Sequence, residues 1–240
     1  VWVFRSVARG HPARPAAATA MGAIIGEALI GAVIVLFEWV AGDTSVARTI
    51  SVPLHLVNTF LLLAALALTA HWVGGGLPIS RRSHPSTWRW VMGGAGALLI
   101  VAASGAVTAL ADTLFPKDGP VSPTAEHFLT DLRVVHPILA LTVVSVAWVV
   151  VRRRGLISRE VNLMVVLVGL QVASGAVAIA LEVPIVMQVL HLALADLLWV
   201  AYVVTSARLL AVEPAGLQAR RDLRASGSSS GASQTNSRHK

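Results

Sequence analysis

Six stretches of mostly apolar residues, each about twenty long, dictate what this chain can become. They run over 18–41, 52–73, 90–111, 133–151, 160–181 and 185–207. A helix rising about 1.5 Å per residue needs roughly twenty residues to cross a hydrocarbon layer about 30 Å thick. Lipid offers the backbone no hydrogen-bond partners, so a spanning segment must satisfy its own N–H and C=O groups, as a helix does. The expected fold is therefore all-α, an integral membrane bundle of six transmembrane helices. Only 13% of the residues are charged, about half of what a water-facing surface needs.

The formal net charge of +7 raises the question of a polyanion partner, and its distribution answers it. With both termini placed in the cytoplasm, Arg5, Arg9, Arg14, Arg81, Arg82, Arg89, the Arg152–Arg154 run, Arg159 and the basic tail all fall inside. Arg48, Lys117 and Arg133 remain outside, where Asp43, Asp112, Asp118, Glu126, Asp131 and Glu182 gather. This is the positive-inside asymmetry of a multi-pass protein, so the basicity reports orientation and no nucleic-acid partner is expected. The partner that composition does demand is the lipid bilayer. The sequence has no cysteine, which excludes disulfides, thiolate metal sites and cysteine nucleophiles within it.

Residues 1–17 form a basic cytoplasmic segment and 74–89 a cytoplasmic linker. Residues 208–240, Ser/Gly-rich and basic, are expected to be a disordered cytoplasmic tail. The first apolar stretch is too long for a signal peptide. Val1–Phe4 are apolar directly before a basic loop, as the inner end of an earlier helix would be.

A short word recurs in three helices: Ile30-Gly31-Ala32-Val33, Ser104-Gly105-Ala106-Val107 and Ser174-Gly175-Ala176-Val177. Each is followed by an outer loop and then by a helix with histidine in its first turns: His55, His136 and His191. The repeat unit is a helix hairpin, glycine on the outgoing helix and histidine on the returning one. Small residues let a helix or a flat ligand approach the backbone closely. Prolines flank the histidine helices at Pro53, Pro137 and Pro184, where a helix start tolerates them.

Histidine inside hydrocarbon is costly unless paired, coordinated or facing water. Four residues after each histidine comes a small residue, Thr59, Ala140 or Ala195, on the same helix face. An axial imidazole over a shallow spot suits a porphyrin held edge-on between helices. A hydrogen-bonded helix contact is the alternative for any one of the three. His71 ends its helix at the interface; His11, His84, His127 and His239 fall in loops or the tail.

Glu27 and Gln171 each lie four residues before the repeat glycine. A mid-helix carboxylate such as Glu27 is either protonated or a proton carrier, which makes Glu27 the one catalytic candidate. Asn58, one turn after His55, would bond a neighbour or a bound group, and Asp196 would meet a polar helix. Trp39, Trp72, Trp88, Trp90 and Trp148 fit interfacial belts.

Taken in order, these residues resemble the heme A synthase (CtaA-type) family. The nearest stretches are Glu27-Ala-Leu-Ile-Gly31 through Leu54-His55-Leu-Val-Asn58, and Leu170-Gln171-Val-Ala-Ser-Gly175 through Pro184 to His191. The resemblance covers residues 1–208 and rests on the ordered set rather than on a strict motif. It implies an eight-helix architecture of two pseudo-symmetric halves, with a pair of helices preceding Val1. Residues 18–73 would then be the remaining hairpin of the N-terminal, substrate half, and 90–207 the C-terminal, four-helix heme-binding half.

The resemblance implies that His136 and His191 hold a heme b, and that His55 serves heme O as substrate. The reaction would turn the C8 methyl of heme O into the formyl of heme A, by successive hydroxylations and loss of water, for terminal oxidases. It implies a bacterial cytoplasmic membrane, heme O synthase as a partner and an electron acceptor of unspecified kind, and leaves a homo-oligomer open. The family's frequent cysteines are missing from the 112–132 loop, and the partner of His55 is not in this chain. A bis-His electron carrier without enzyme activity, and a transporter or assembly factor, are the rival readings.

Overall fold

The structure, a computed structural model, describes residues 2–40, 42–115, 129, 132–154 and 158–212. The tail from residue 213 and most of the 112–132 loop, with Lys117, Glu126 and His127, lie outside the described residues. A short helix α1 (Trp2–Ser6) precedes six long ones: α2 (Ala13–Leu36), α3 (Val46–Val73), α4 (Pro85–Leu114), α5 (Val135–Arg154), α6 (Arg159–Ala180) and α7 (Ile185–Leu209). A 3-10 turn, Leu132–Val134, leads into α5. All six long helices have the length and apolarity to cross a membrane, so the all-α six-span expectation holds.

Several boundaries moved for local reasons. The first helix begins at Ala13 and stops at Leu36, not 18–41, because Glu38 turns the chain with φ of +58°. Helix α3 starts six residues before the expected 52. Ser45 accepts from Arg48 N and is itself held by Asp43, whose Oδ2 accepts its hydroxyl at 2.6 Å. That cap draws the polar segment Val46–Ser51 into the helix. As a result Pro53 lies inside α3, not at its start, and the Thr49 carbonyl loses its usual helical donor.

Helices α2 and α3 form a close antiparallel hairpin, α4 pairs with α5, and α6 with α7. Helix α3 also packs on α4 and α7. The turn from α6 to α7 is tight, as expected: Glu182 and Val183 both take positive φ, 62° and 60°. That conformation is costly for a β-branched residue. Here it is held by Val183 N donating to Ala178 O at 2.7 Å and Gln188 Nε2 donating to Val183 O at 3.0 Å.

The α3–α7 contact is keyed by aromatics. Trp199 stacks between Phe60 and Tyr202, with ring centres 5.5 and 6.1 Å away, and its Nε1 donates to Phe60 O at 2.7 Å. Tyr202 Oη in turn donates to Val91 O on α4, fitting against Gly94, where any side chain would collide with it. At the inner end, Ile79 and Ala211 form an isolated antiparallel bridge, with Ser80 N bonded to Leu210 O and Val212 N to Pro78 O. Trp72, read from sequence as part of an interfacial belt, is instead buried against Ala13 and Ala16, its Nε1 donating to Leu77 O. Trp90 and Trp148 are exposed, as a lipid-facing belt requires.

Candidate functional site

Each repeat histidine is tied through Nδ1 to the outgoing helix of its own hairpin. Ser104 Oγ donates to Val101 O one turn back at 2.7 Å. Its single hydrogen is therefore used, and the hydroxyl receives from His136 Nδ1 at 3.1 Å; the same Nδ1 lies 3.1 Å from Val101 O. In the last hairpin Ser174 Oγ donates to Gln171 O at 3.0 Å and receives from His191 Nδ1 at 2.9 Å. A hydroxyl has one proton and a neutral imidazole one N–H. Both rings are thereby fixed as Nδ1–H tautomers, with the ring lone pair on Nε2; at His191 the Gln171 amide nitrogen lies 3.0 Å from that atom.

The glycines of the repeat explain how the rings come so close. A Cβ built on Gly105 would stand 3.0 Å from His136 Cε1, and one on Gly175 3.1 Å from His191 Cε1. The two imidazoles thus lie against bare backbone and meet edge to face, with ring centres 6.3 Å apart and planes at 88°. Two imidazoles on opposite sides of one metal, each bonded at about 2 Å, would have centres roughly 6 Å apart. Among the described residues no group of three or more His, Cys, Asp or Glu could hold a metal ion. The pair itself offers two imidazole donors, a set of the kind that fits an iron whose remaining positions a bound macrocycle fills. The anchoring of Nδ1 by a hydroxyl or carbonyl is what metal-ligating histidines ordinarily show.

The start of α5 and the end of α4 are clamped outside this pair. Arg133 Nε lies 2.8 Å from Asp112 Oδ1, and its guanidinium donates to the Ala111 and Phe115 carbonyls. This satisfies orphan carbonyls at a helix C-terminus and fixes the chain three residues before His136.

The first hairpin departs from the other two. Ile30 stands where they have serine, and Gly31 has open space around it. The close approach expected there occurs at Gly26, against Asn58. Glu27 takes over the anchoring: Oε2 lies 2.5 Å from His55 Nδ1, while Oε1 accepts from Asn58 Nδ2 at 2.8 Å and Thr59 Oγ1 at 2.9 Å. Asn58 therefore bonds a neighbour, also reaching Ala23 O. Thr59, expected to be a shallow spot under a ligand, is part of this network and also lies within hydrogen-bond distance of His55 O. His55 thus has a carboxylate at Nδ1 where the other two histidines have a serine hydroxyl.

Removing that carboxylate takes an acceptor from three donors, of which Asn58 Nδ2 keeps the Ala23 carbonyl and Thr59 Oγ1 the His55 carbonyl. Glu27→Ala is expected to destabilise the α2–α3 hairpin by about 2 kcal/mol, while Glu27→Gln retains part of the network. Thermal unfolding in detergent should rank wild type above Gln and Gln above Ala.

Elsewhere the polar helix contact expected of Asp196 is not formed by its Oδ1, which is buried without a hydrogen-bond partner, as is His71 Nε2. The anchoring serines were missed as functional residues, although their signal was visible: serine precedes the repeat glycine in the two hairpins whose histidines face each other.

The chain has recognisable relatives. A family model described as cytochrome oxidase assembly protein, COX15-CtaA, matches residues 1–203. Two proteins named protoheme IX farnesyltransferase, from two strains of Thermus thermophilus, are each 40% identical to the chain over 215 residues. Those matches cover 85% of this chain and 35% of each relative, so the chain spans about a third of their length. No solved structure matches it.

Proposed function

The chain belongs to the COX15-CtaA family of cytochrome oxidase assembly proteins, and from that premise we propose that it oxidises the C8 methyl of heme O to the formyl of heme A. The observation that carries the reading is the neighbouring pair His136 and His191, ring centres 6.3 Å apart and each tied to its hairpin through Nδ1, which leaves Nε2 as the atom that would bind iron. Heme b bound there would supply one-electron transfer at a bis-imidazole centre. His136 and His191 would hold its iron; Ser104, the Val101 carbonyl and Ser174 hold the Nδ1 protons that keep both rings in the ligating tautomer.

His55 would hold the substrate heme O. Its carboxylate partner Glu27 makes it a stronger donor than either histidine of the pair, and can accept the Nδ1 proton. Methyl-to-formyl conversion removes four electrons, which must leave to an acceptor. The relatives named for farnesyl transfer to protoheme IX support the substrate assignment, because a farnesylated protoheme is what this reaction consumes. The basic inner loops support a cytoplasmic placement of both termini in a bacterial inner membrane.

Two measurements test the proposal. The purified protein is expected to carry heme b with a reduced low-spin spectrum. Expression of the intact gene product in a host that makes heme O but no heme A should yield heme A by mass spectrometry. Heme b without heme A would mean a carrier of electrons, and a heme-free protein would sink both readings.

A further inference from the structure

His136 and His191 are repeat equivalents, yet they are not equivalent toward a ligand. Both present an Nε2 lone pair, and at His191 that lone pair has a donor already. The Gln171 amide nitrogen lies 3.0 Å from His191 Nε2. A ring nitrogen of this kind carries one lone pair, so the amide and a metal cannot both use it. At His136 the repeat position of Gln171 is Val101, whose side chain has no donor and whose carbonyl faces Nδ1. The third equivalent, Glu27, meets its histidine at Nδ1 rather than Nε2. Competition for a ligating atom is thus built into one of three hairpins, by one side chain.

Resting on the heme reading above, we propose that Gln171 is a positioning residue that competes with iron for His191, making His191 the exchangeable axial ligand and His136 the permanent one. When His191 leaves the metal, Gln171 captures it in the Nδ1–H tautomer that Ser174 also holds, so the detached ring stays in place and can return. The buried Gln171 Oε1, which has no hydrogen-bond partner, adds no tether against the swing of the amide. A hydrogen bond of ordinary net strength biases such an exchange by about two- to tenfold. That is enough to open one axial position to a small molecule without abolishing bis-imidazole ligation.

Carbon monoxide binding to the reduced, heme-loaded protein reads this exchange directly, because carbon monoxide must displace an axial histidine. In Gln171→Leu and Gln171→Met, which remove the donor and keep side-chain bulk, carbon monoxide affinity is expected to fall about two- to tenfold. Return of the histidine after flash photolysis should become faster by a similar factor. The low-spin spectrum should persist in both variants. A persisting low-spin spectrum with unchanged or raised carbon monoxide affinity would overturn the competition while leaving the heme reading standing. Loss of the low-spin spectrum in both variants would overturn it too, since Gln171 would then be supporting ligation. A wild-type protein with no six-coordinate heme would remove the premise and the proposal together.

Discussion

Alanine at His136 or His191 is expected to abolish the low-spin spectrum of the purified protein. Each ring supplies one of the two nitrogens of the facing pair, 6.3 Å apart between centres. Loss of either leaves a single imidazole and a position open to solvent or added ligand. Disturbing the partner of a ligating histidine already costs about ten- to a hundredfold in metal affinity. Removing the ligand itself should exceed that, and the double variant should retain no heme through purification. Ser174→Ala, which takes away only the hydroxyl that fixes the His191 tautomer, belongs in the class losing about ten- to a hundredfold. His55→Ala is the control: its ring belongs to the α2–α3 hairpin and pairs with Glu27, so the low-spin band should survive. Optical spectra with heme titration measure all five variants. A band that persists in both His136→Ala and His191→Ala would show that iron is held elsewhere.

Trp199→Ala should be the most destabilising single substitution in the membrane bundle. Trp199 is 4% exposed and stacks on Phe60, itself 3% exposed, and on Tyr202. Truncating a buried tryptophan costs roughly 3–5 kcal/mol in soluble cores through lost contacts and the cavity left behind. Inside a bilayer the transfer part of that cost shrinks, since lipid is as apolar as the protein interior, and packing carries the remainder. A loss of about 3 kcal/mol is therefore expected. Trp199→Phe, which loses the Nε1 bond to Phe60 O but keeps a ring, should cost about 1 kcal/mol. Equilibrium unfolding in mixed micelles, followed by helical circular dichroism rather than tryptophan emission, gives both values. Equal stability of wild type and Trp199→Ala would mean that α3 and α7 are held by something other than this stack.

The six helices were legible because a bilayer imposes one length on every span, and the apolar runs meet it. Their ends were less so. Val46–Ser51 carries Arg48, Thr49 and Ser51, which read as loop, but the Asp43–Ser45 cap makes them the first turns of α3. Pro53 was expected at a helix start for the same reason. The facing histidines could be anticipated from three hairpins in register. What spacing could not show is which ring nitrogen each one offers, because that depends on where a single serine hydrogen goes. Glu27 stood out as a buried carboxylate, while its three donors had to be seen in space. Trp199 was hidden most completely: along a helix apolar on every side, nothing in the pattern separates a ring facing lipid from one facing α3.

The position of α7 also sets an order of manufacture. It is the last of the six long helices to leave the ribosome, yet it keys onto α3 through Trp199 and draws the α3–α4 loop to its own end through the Ile79–Ala211 bridge. The early hairpin α2–α3 can meet α4 as soon as that helix is made, but its Phe60 face stays uncovered until α7 has been translated. Nascent chains halted before α7 would display the Phe60 face of α3 to lipid, so closing the bundle is a post-insertional step that only the last long helix can complete.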